Sequence, residues 1–147
     1  MNDVRKRFEK IILNHEIPFV EQVQQKEVWD FLASMHDQIA IMKGYDQNNL
    51  YHCYDLLTHT AYVVDGIHYD ALYEKDYYDL RIAAFFHDIG KPLVRADKII
   101  KGHVFNSYHG HPMVSEQVAT RILKDIGYTS AELRRIRFFI LDRKSVV

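Results

Sequence analysis

The sequence predicts an all-α fold, a helical bundle with room for one small β-hairpin. Three observations predict it. Apolar residues recur at helical spacing in segment after segment. Gly44, Gly90, Pro92 and Gly127 mark where such segments stop, and Pro112 where one starts. One run, DLRIAAFFHD, is apolar on nearly every side, which a bundle requires of its central helix.

The elements follow in order. Residues 3–14 place Val4, Phe8 and Ile11 on one helical face, and Pro18 should end that helix. A second helix is expected over residues 26–43, with Trp29, Leu32, Ile39 and Met42 on one side and Gly44 as its stop. The polar and aromatic run YDQNNLYHCYD reads as a loop. A third helix is expected over residues 54–67, with Leu56, Leu57, Val63, Val64 and Ile67 as its apolar set. A fourth spans residues 77–88, and Gly90 and Pro92 stop it.

KIIKGHVFNSYHGH then breaks the helical period. Lys101-Gly102, between Ile99-Ile100 and Val104-Phe105, suits a hairpin turn. Pro112 fits the first position of a fifth helix, which makes His111 its N-cap. That helix carries Met113, Val114, Val118, Ile122 and Leu123 and ends at Gly127. Thr129 and Glu132 have the capping-box spacing and open a sixth helix with Leu133, Ile136 and Ile140.

The chain of 147 residues is expected to be one domain with a single core. It has no repeat, low-complexity tract or Pro/Gly/Ser linker. Its motif-bearing part covers residues 47–142, with the helices of residues 1–46 packed on it. Lys plus Arg number 19 and Asp plus Glu 20, for a formal net charge of -1. That excludes a nucleic-acid binder driven by bulk charge, while leaving a local patch able to meet RNA or a nucleotide. A single cysteine, Cys53, forbids an intramolecular disulfide and suits a reducing cytosol. MNDVRKRFEK has no apolar run behind its charges, so no signal peptide is expected. No stretch is apolar for long enough to span a bilayer, so the expected location is cytoplasmic, with no membrane partner. The oddest feature is nine histidines, most of them between His52 and His111.

The chemistry is concentrated at His87-Asp88. A buried imidazole followed by a buried carboxylate is costly unless each is paired or bound to a metal. Adjacent residues point about 100° apart on a continuous helix. This helix ends at Ile89-Gly90, so in a loosened last turn both side chains can converge on one ion. Imidazole nitrogen with carboxylate oxygen suits Zn, Mn, Fe and similar first-row ions. A further ligand should come from another helix, and His59 lies between Leu56 and Val63 at helical spacing. A lone histidine there would read as a core residue bonded to a carbonyl; beside a His-Asp pair it reads as a ligand. A second dipeptide, His36-Asp37, serves as an internal control. It sits mid-helix with no Gly or Pro after it and reads as a solvated or half-exposed face.

The runs YHCYDLLTHTAYVVDGI, DLRIAAFFHDIGKP and YHGHPMVSEQVATRIL resemble the HD superfamily of metal-dependent phosphohydrolases. Within it they are most similar to the HD domain of bacterial tRNA nucleotidyltransferases and its free-standing relatives. The resemblance implies His59 as first ligand, His87 and Asp88 as the pair, and Asp142 as the distal ligand. It also places His111 at a recurrent motif, as a ligand of a second metal, a contact to the scissile phosphate or a general acid. Its helix N-terminus favours an anion in any case. His109 and His103 read as loop residues.

Lys91 follows the metal pair and either neutralises a substrate phosphate or simply meets the helix dipole. Arg95 is a weaker candidate of the same kind. Gln47, Asn48 and His52 either line the pocket mouth or cap the ligand helix. Tyr77, Tyr78, Phe85 and Phe86 read as core, not as a base-stacking platform. The implied cofactor is a divalent metal, one of Mn, Fe, Ni, Zn, Co or Mg. The implied reaction is hydrolysis of a phosphomonoester or phosphodiester, with a nucleotide as leading substrate. Asp88 would orient or deprotonate the attacking water, and Lys91 and His111 would offset the developing charge. Two rivals stand beside it: a di-iron oxygenase on the same fold, and a module that binds a nucleotide or metal without turnover.

Overall fold

The computed structural model describes residues 3–47, 54–71, 73–100, 102–108 and 110–142. The helices are α1 (Asp3–Ile12), α2 (Phe19–Gln22), α3 (Lys26–Met35), α4 (Asp37–Met42), α5 (Leu56–Asp65), α6 (Glu74–Phe86), α7 (His111–Asp125) and α8 (Ser130–Leu141). One antiparallel hairpin, β1 (Ala96–Ile100) with β2 (His103–Ser107), lies between α6 and α7. Gly102 turns the chain between its strands at φ +80°. The expected all-α bundle with one hairpin is the observed architecture. Among the described residues no helix is long and apolar enough to cross a membrane.

Helix α6 is the axis of the bundle, as its composition requires. Ile82, Ala83, Ala84, Phe85 and Phe86 are all fully buried. It packs on α5 and on α8, and α7 and α8 pack on each other. Small alanines let neighbouring helices approach, and the aromatic rings fill the remaining space. Phe85 meets Phe8 of α1 edge-on at 5.9 Å and Phe19 of α2 at 5.7 Å between ring centroids. Such edge-to-face pairs suit the ring quadrupoles. Tyr77 is buried and Tyr78 half-buried, so all four aromatic residues of this helix face protein. Arg81 crosses the core as a buried cation. Its guanidinium donates to the carbonyls of Ile12, Asn14, Val64 and Ile67, tying α6 to the ends of α1 and α5.

Three expectations are corrected. The helix expected over 26–43 is two helices, broken at His36. That residue is extended (φ −168°, ψ 146°), and its Nδ1 accepts the Gln38 N–H at 3.0 Å. A side-chain acceptor at this point competes with the helical ladder. His36-Asp37 therefore lies at a helix junction and not mid-helix, although half-buried His36 and exposed Asp37 do match the expected setting. Pro18 does not end α1, which stops at Ile12, but is the N-cap of α2. Its carbonyl accepts from Glu21 and Gln22, while the Asp65 carboxylate at the end of α5 accepts the N–H groups of Phe19 and Val20 at 2.6 and 3.0 Å. Finally, His111 is the first residue of α7, and Gly110 is its N-cap at φ +81°. The left-handed backbone there favours glycine, which moves the helix start one residue from where Pro112 suggested. Met113, expected inside, is 64% exposed.

The remaining boundaries follow local chemistry. Gly44, at φ +79°, follows α4. Thr129 accepts the Glu132 N–H and the Glu132 carboxylate accepts the Thr129 N–H, so the capping box opens α8 as expected.

Candidate metal centre

Each site residue is fixed by the end of an element. Asp55 caps α5: its Oδ1 accepts the Thr58 N–H at 2.7 Å and its Oδ2 accepts the Gly44 N–H at 2.6 Å. His59 stands one turn inside that helix, at the core edge, with its side chain 25% exposed. α6 ends at Phe86, and the next residues tighten into short-range turns. Ile89 N–H donates to Phe86 O at 3.2 Å and Lys91 N–H to Asp88 O at 3.1 Å. This tightened end brings two adjacent side chains to one point.

The Nε2 atoms of His59 and His87 lie 3.2 and 3.0 Å from Asp88 Oδ2. Among the described residues, these three form a group whose ligand atoms all lie within 4.8 Å of one another. Asp88 is fully buried. Burial alone would raise its carboxyl, but the facing His87 imidazole, then those of His111 and His59, outweigh it and hold the group well below the usual carboxylate range. The site therefore centres on a buried anion.

The histidine tautomers decide whether a metal fits. His87 Nδ1 lies 2.6 Å from the Ala84 carbonyl. A carbonyl only accepts, so Nδ1 carries the proton, and in the neutral ring Nε2 presents a lone pair to Asp88. The same holds for His111, whose Nδ1 is 2.9 Å from the Tyr108 carbonyl and whose Nε2 is 2.9 Å from Asp88 Oδ1. With Nε2 also protonated each ring donates to Asp88 as an imidazolium; with Nε2 bare its lone pair faces a carboxylate oxygen at about 3 Å and needs a cation between them. Ligating histidines held through the other ring nitrogen are the usual supporting arrangement of a metal site. The donor set of two imidazoles and a carboxylate thus fits a divalent first-row cation.

Further side chains close around Asp88. Lys91 is buried, 4% exposed, with Nζ 2.7 Å from Gln47 Oε1 and 3.3 Å from Asp88 Oδ2. Gln47 is fully buried, and its carbonyl accepts the Tyr108 hydroxyl at 2.8 Å. Gly90 brings α7 close: a Cβ there would stand 2.6 Å from Ser115 N, and Ser115 Oγ accepts the Gly90 N–H at 2.8 Å. Ser115 lies one turn after His111, so this contact seats the helix that carries the third imidazole.

The structure thus brings together His59, His87, Asp88, Lys91 and His111. Arg95 is exposed, with its guanidinium over the Tyr45 ring at 5.5 Å. Asp142 is the half-buried C-cap of α8 and is not one of the three grouped ligand residues. His52, Asn48 and His109 lie outside the described residues, and His103 is in β2. Sequence reasoning missed Tyr108 and Ser115. Gly90 was read as a helix stop, and its proximity to another backbone had no signal in a single sequence.

The family model described as HD domain matches residues 49–143 of this chain. No curated protein and no solved structure matches it.

Proposed function

The chain belongs to the HD domain family, and from that premise we propose that it is a metal-dependent phosphohydrolase acting on a phosphomonoester or phosphodiester. The observation that carries this reading is the convergence of His59 and His87 Nε2 on buried Asp88 Oδ2, with His87 held through Nδ1. His59, His87 and Asp88 would hold a divalent cation, which would supply an activated water near neutral pH and Lewis-acid polarisation of a phosphoryl oxygen.

The chain's own residues do the rest. Asp88 lies between the histidines and carries a charge, so it would orient the attacking water. His111, at the first turn of α7, presents Nε2 beside Asp88 Oδ1. With Lys91 it offsets the negative charge that develops on the phosphoryl oxygens. The N-terminal end of the α7 dipole favours an anion beside them. A small phosphorylated molecule is the substrate class, and the resemblance of the HDIGKP and YHGHP runs to tRNA nucleotidyltransferase HD domains supports a nucleotide.

The test is elemental analysis of the purified protein together with a screen of generic phosphoesters and nucleotides, with Mn, Fe, Ni, Zn, Co or Mg added in turn. Metal-dependent release of phosphate or alcohol is expected, and the His87→Ala/Asp88→Ala double variant is expected to lose both metal and turnover. Full activity in that double variant would end this reading. A site that takes up no added metal would instead favour a nucleotide-binding module. Two tightly bound irons with no phosphatase activity would favour an oxygenase.

A further inference from the structure

Two cations compete for one oxygen at this site. The Lys91 ammonium is 3.3 Å from Asp88 Oδ2, the same oxygen on which the His59 and His87 nitrogens converge. An ammonium resting on that oxygen would neutralise the carboxylate and exclude a metal. Its nearer partner, however, is not Asp88. Nζ is 2.7 Å from Gln47 Oε1 and 5.4 Å from the centroid of the Tyr108 ring. A fully buried amide oxygen and an aromatic face are both neutral groups that attract a cation. Gln47 is in turn held by the Tyr108 hydroxyl, which donates to its carbonyl at 2.8 Å. Tyr108 also fixes His111, because its own carbonyl accepts from His111 Nδ1 at 2.9 Å. One clamp therefore sets the position of both Lys91 and the third imidazole.

We infer that Gln47 is a positioning residue which, with Tyr108, holds the Lys91 ammonium at 3.3 Å from Asp88 Oδ2 and keeps it from closing further, so that this oxygen stays open to the metal. The inference rests on the metal reading of the site. Held in this way, the ammonium remains a second positive charge next to the metal, available to the phosphate. Released, it collapses onto Asp88 and occupies the metal's place. Gln47 thus acts on metal affinity through Lys91, which distinguishes it from a residue that merely packs the loop.

The experiment is a double-mutant cycle on metal affinity, read by calorimetric titration of the metal-stripped full chain with Mn or Zn. Gln47→Met keeps length and removes the acceptor, and is expected to weaken binding roughly 10- to 100-fold, as loss of an outer-shell partner does. Lys91→Met removes the competitor and is expected to bind at least as tightly as the wild type. In the Lys91→Met background, Gln47→Met is expected to have no further effect. Tyr108→Leu reads the same clamp from its other side, with the same dependence on Lys91, and serves if Gln47→Met does not fold. Equal weakening in both backgrounds would show that Gln47 only supports the loop and would overturn the inference. Unchanged affinity in Gln47→Met, with its unfolding midpoint preserved, would overturn it too. A wild type that binds no metal would sink the metal reading itself, and this inference with it.

Discussion

At the residue scale, the site depends on a glycine that touches no ligand. Gly90 has an ordinary φ of −80°, so its role is space and not backbone freedom. A Cβ at this position would meet Ser115 N at 2.6 Å and Ser115 Oγ at 2.9 Å. The first of these is backbone of α7 and cannot swing aside. Gly90→Ala is expected to push α7 away from the Asp88 turn and cost about 1–3 kcal/mol, the usual range for overpacking a close contact. Because His111 rides on α7, metal affinity should fall as well. Denaturant unfolding and metal titration of the same variant check this, and an unchanged unfolding midpoint would refute the close approach. His59, His87 and Asp88 were legible in the sequence because burying an imidazole and a carboxylate is costly, and the cost itself points to a metal. Gln47, Tyr108 and Ser115 were not legible as partners. They lie 44, 17 and 25 residues in sequence from the groups they touch (47 to 91, 91 to 108, 90 to 115), and no local pattern encodes such pairings.

At the element scale, what could be read locally was read well, and the errors have local causes. The capping box of α8, the apolar run of α6 and the hairpin each state their structure in a few adjacent residues. The junction between α3 and α4 does not, because His36 looks like an ordinary helical residue until its ring accepts the Gln38 N–H. Helical periodicity continues through the break, so the apolar positions on both sides, Leu32 and Ile39, are buried all the same. His36→Ala is expected to cost about 0.5–2 kcal/mol through loss of the cap, and His36→Asn should recover most of it. A more stable His36→Ala would mean that the two helices join once the ring is gone, and that packing does not enforce the break. Metal affinity should not respond in either variant, since the candidate ligands His59, His87 and Asp88 lie on α5 and at the end of α6. The two His-Asp dipeptides thus differ in setting: His36 caps a helix, while His87 and Asp88 lie in the grouped donor set.

At the scale of the whole molecule, the N-terminal helix is joined to the rest by a network built on Arg5 and Glu9. Arg5 of α1 donates to the Gly127 carbonyl at 2.9 Å, pairs with Glu9 at 3.0 Å and pairs with Glu132 at the start of α8. Glu9 in turn accepts the hydroxyls of Tyr78 of α6 and of Tyr128, the latter at 2.5 Å. Three helices and the turn between α7 and α8 therefore share one cluster of ionisable groups, and its charge state should couple stability to pH. The Arg5 guanidinium, assisted by the Thr129 backbone, holds Glu132 down to about 2 from its ordinary 4.5. A depressed carboxyl stabilises the fold above its unfolded value and loses that contribution as pH falls through the folded one. The loss thus lies between about pH 4.5 and 2, and is small because the Glu132 side chain is 39% exposed and screened by water. The alkaline side is the stronger test. Burial, then the Glu9 hydrogen bond, pushes Tyr78 up to about 12 from its ordinary 10, and the same two causes raise Tyr128. A raised phenol contributes fully below pH 10 and loses its contribution as pH rises through the folded value, because a phenolate beside Glu9 is both buried and repelled. For Tyr78 alone the loss by pH 12 is on the order of 2 kcal/mol. Urea unfolding of the metal-free chain at pH 9 and pH 12, compared with a Tyr78→Phe/Tyr128→Phe variant, isolates this term from the titration of lysines. The variant is expected to be less stable at pH 9, where it lacks the two hydrogen bonds, and to lose less between the two pH values. Parallel losses in both proteins would mean that the tyrosines are not what joins α1 to the bundle.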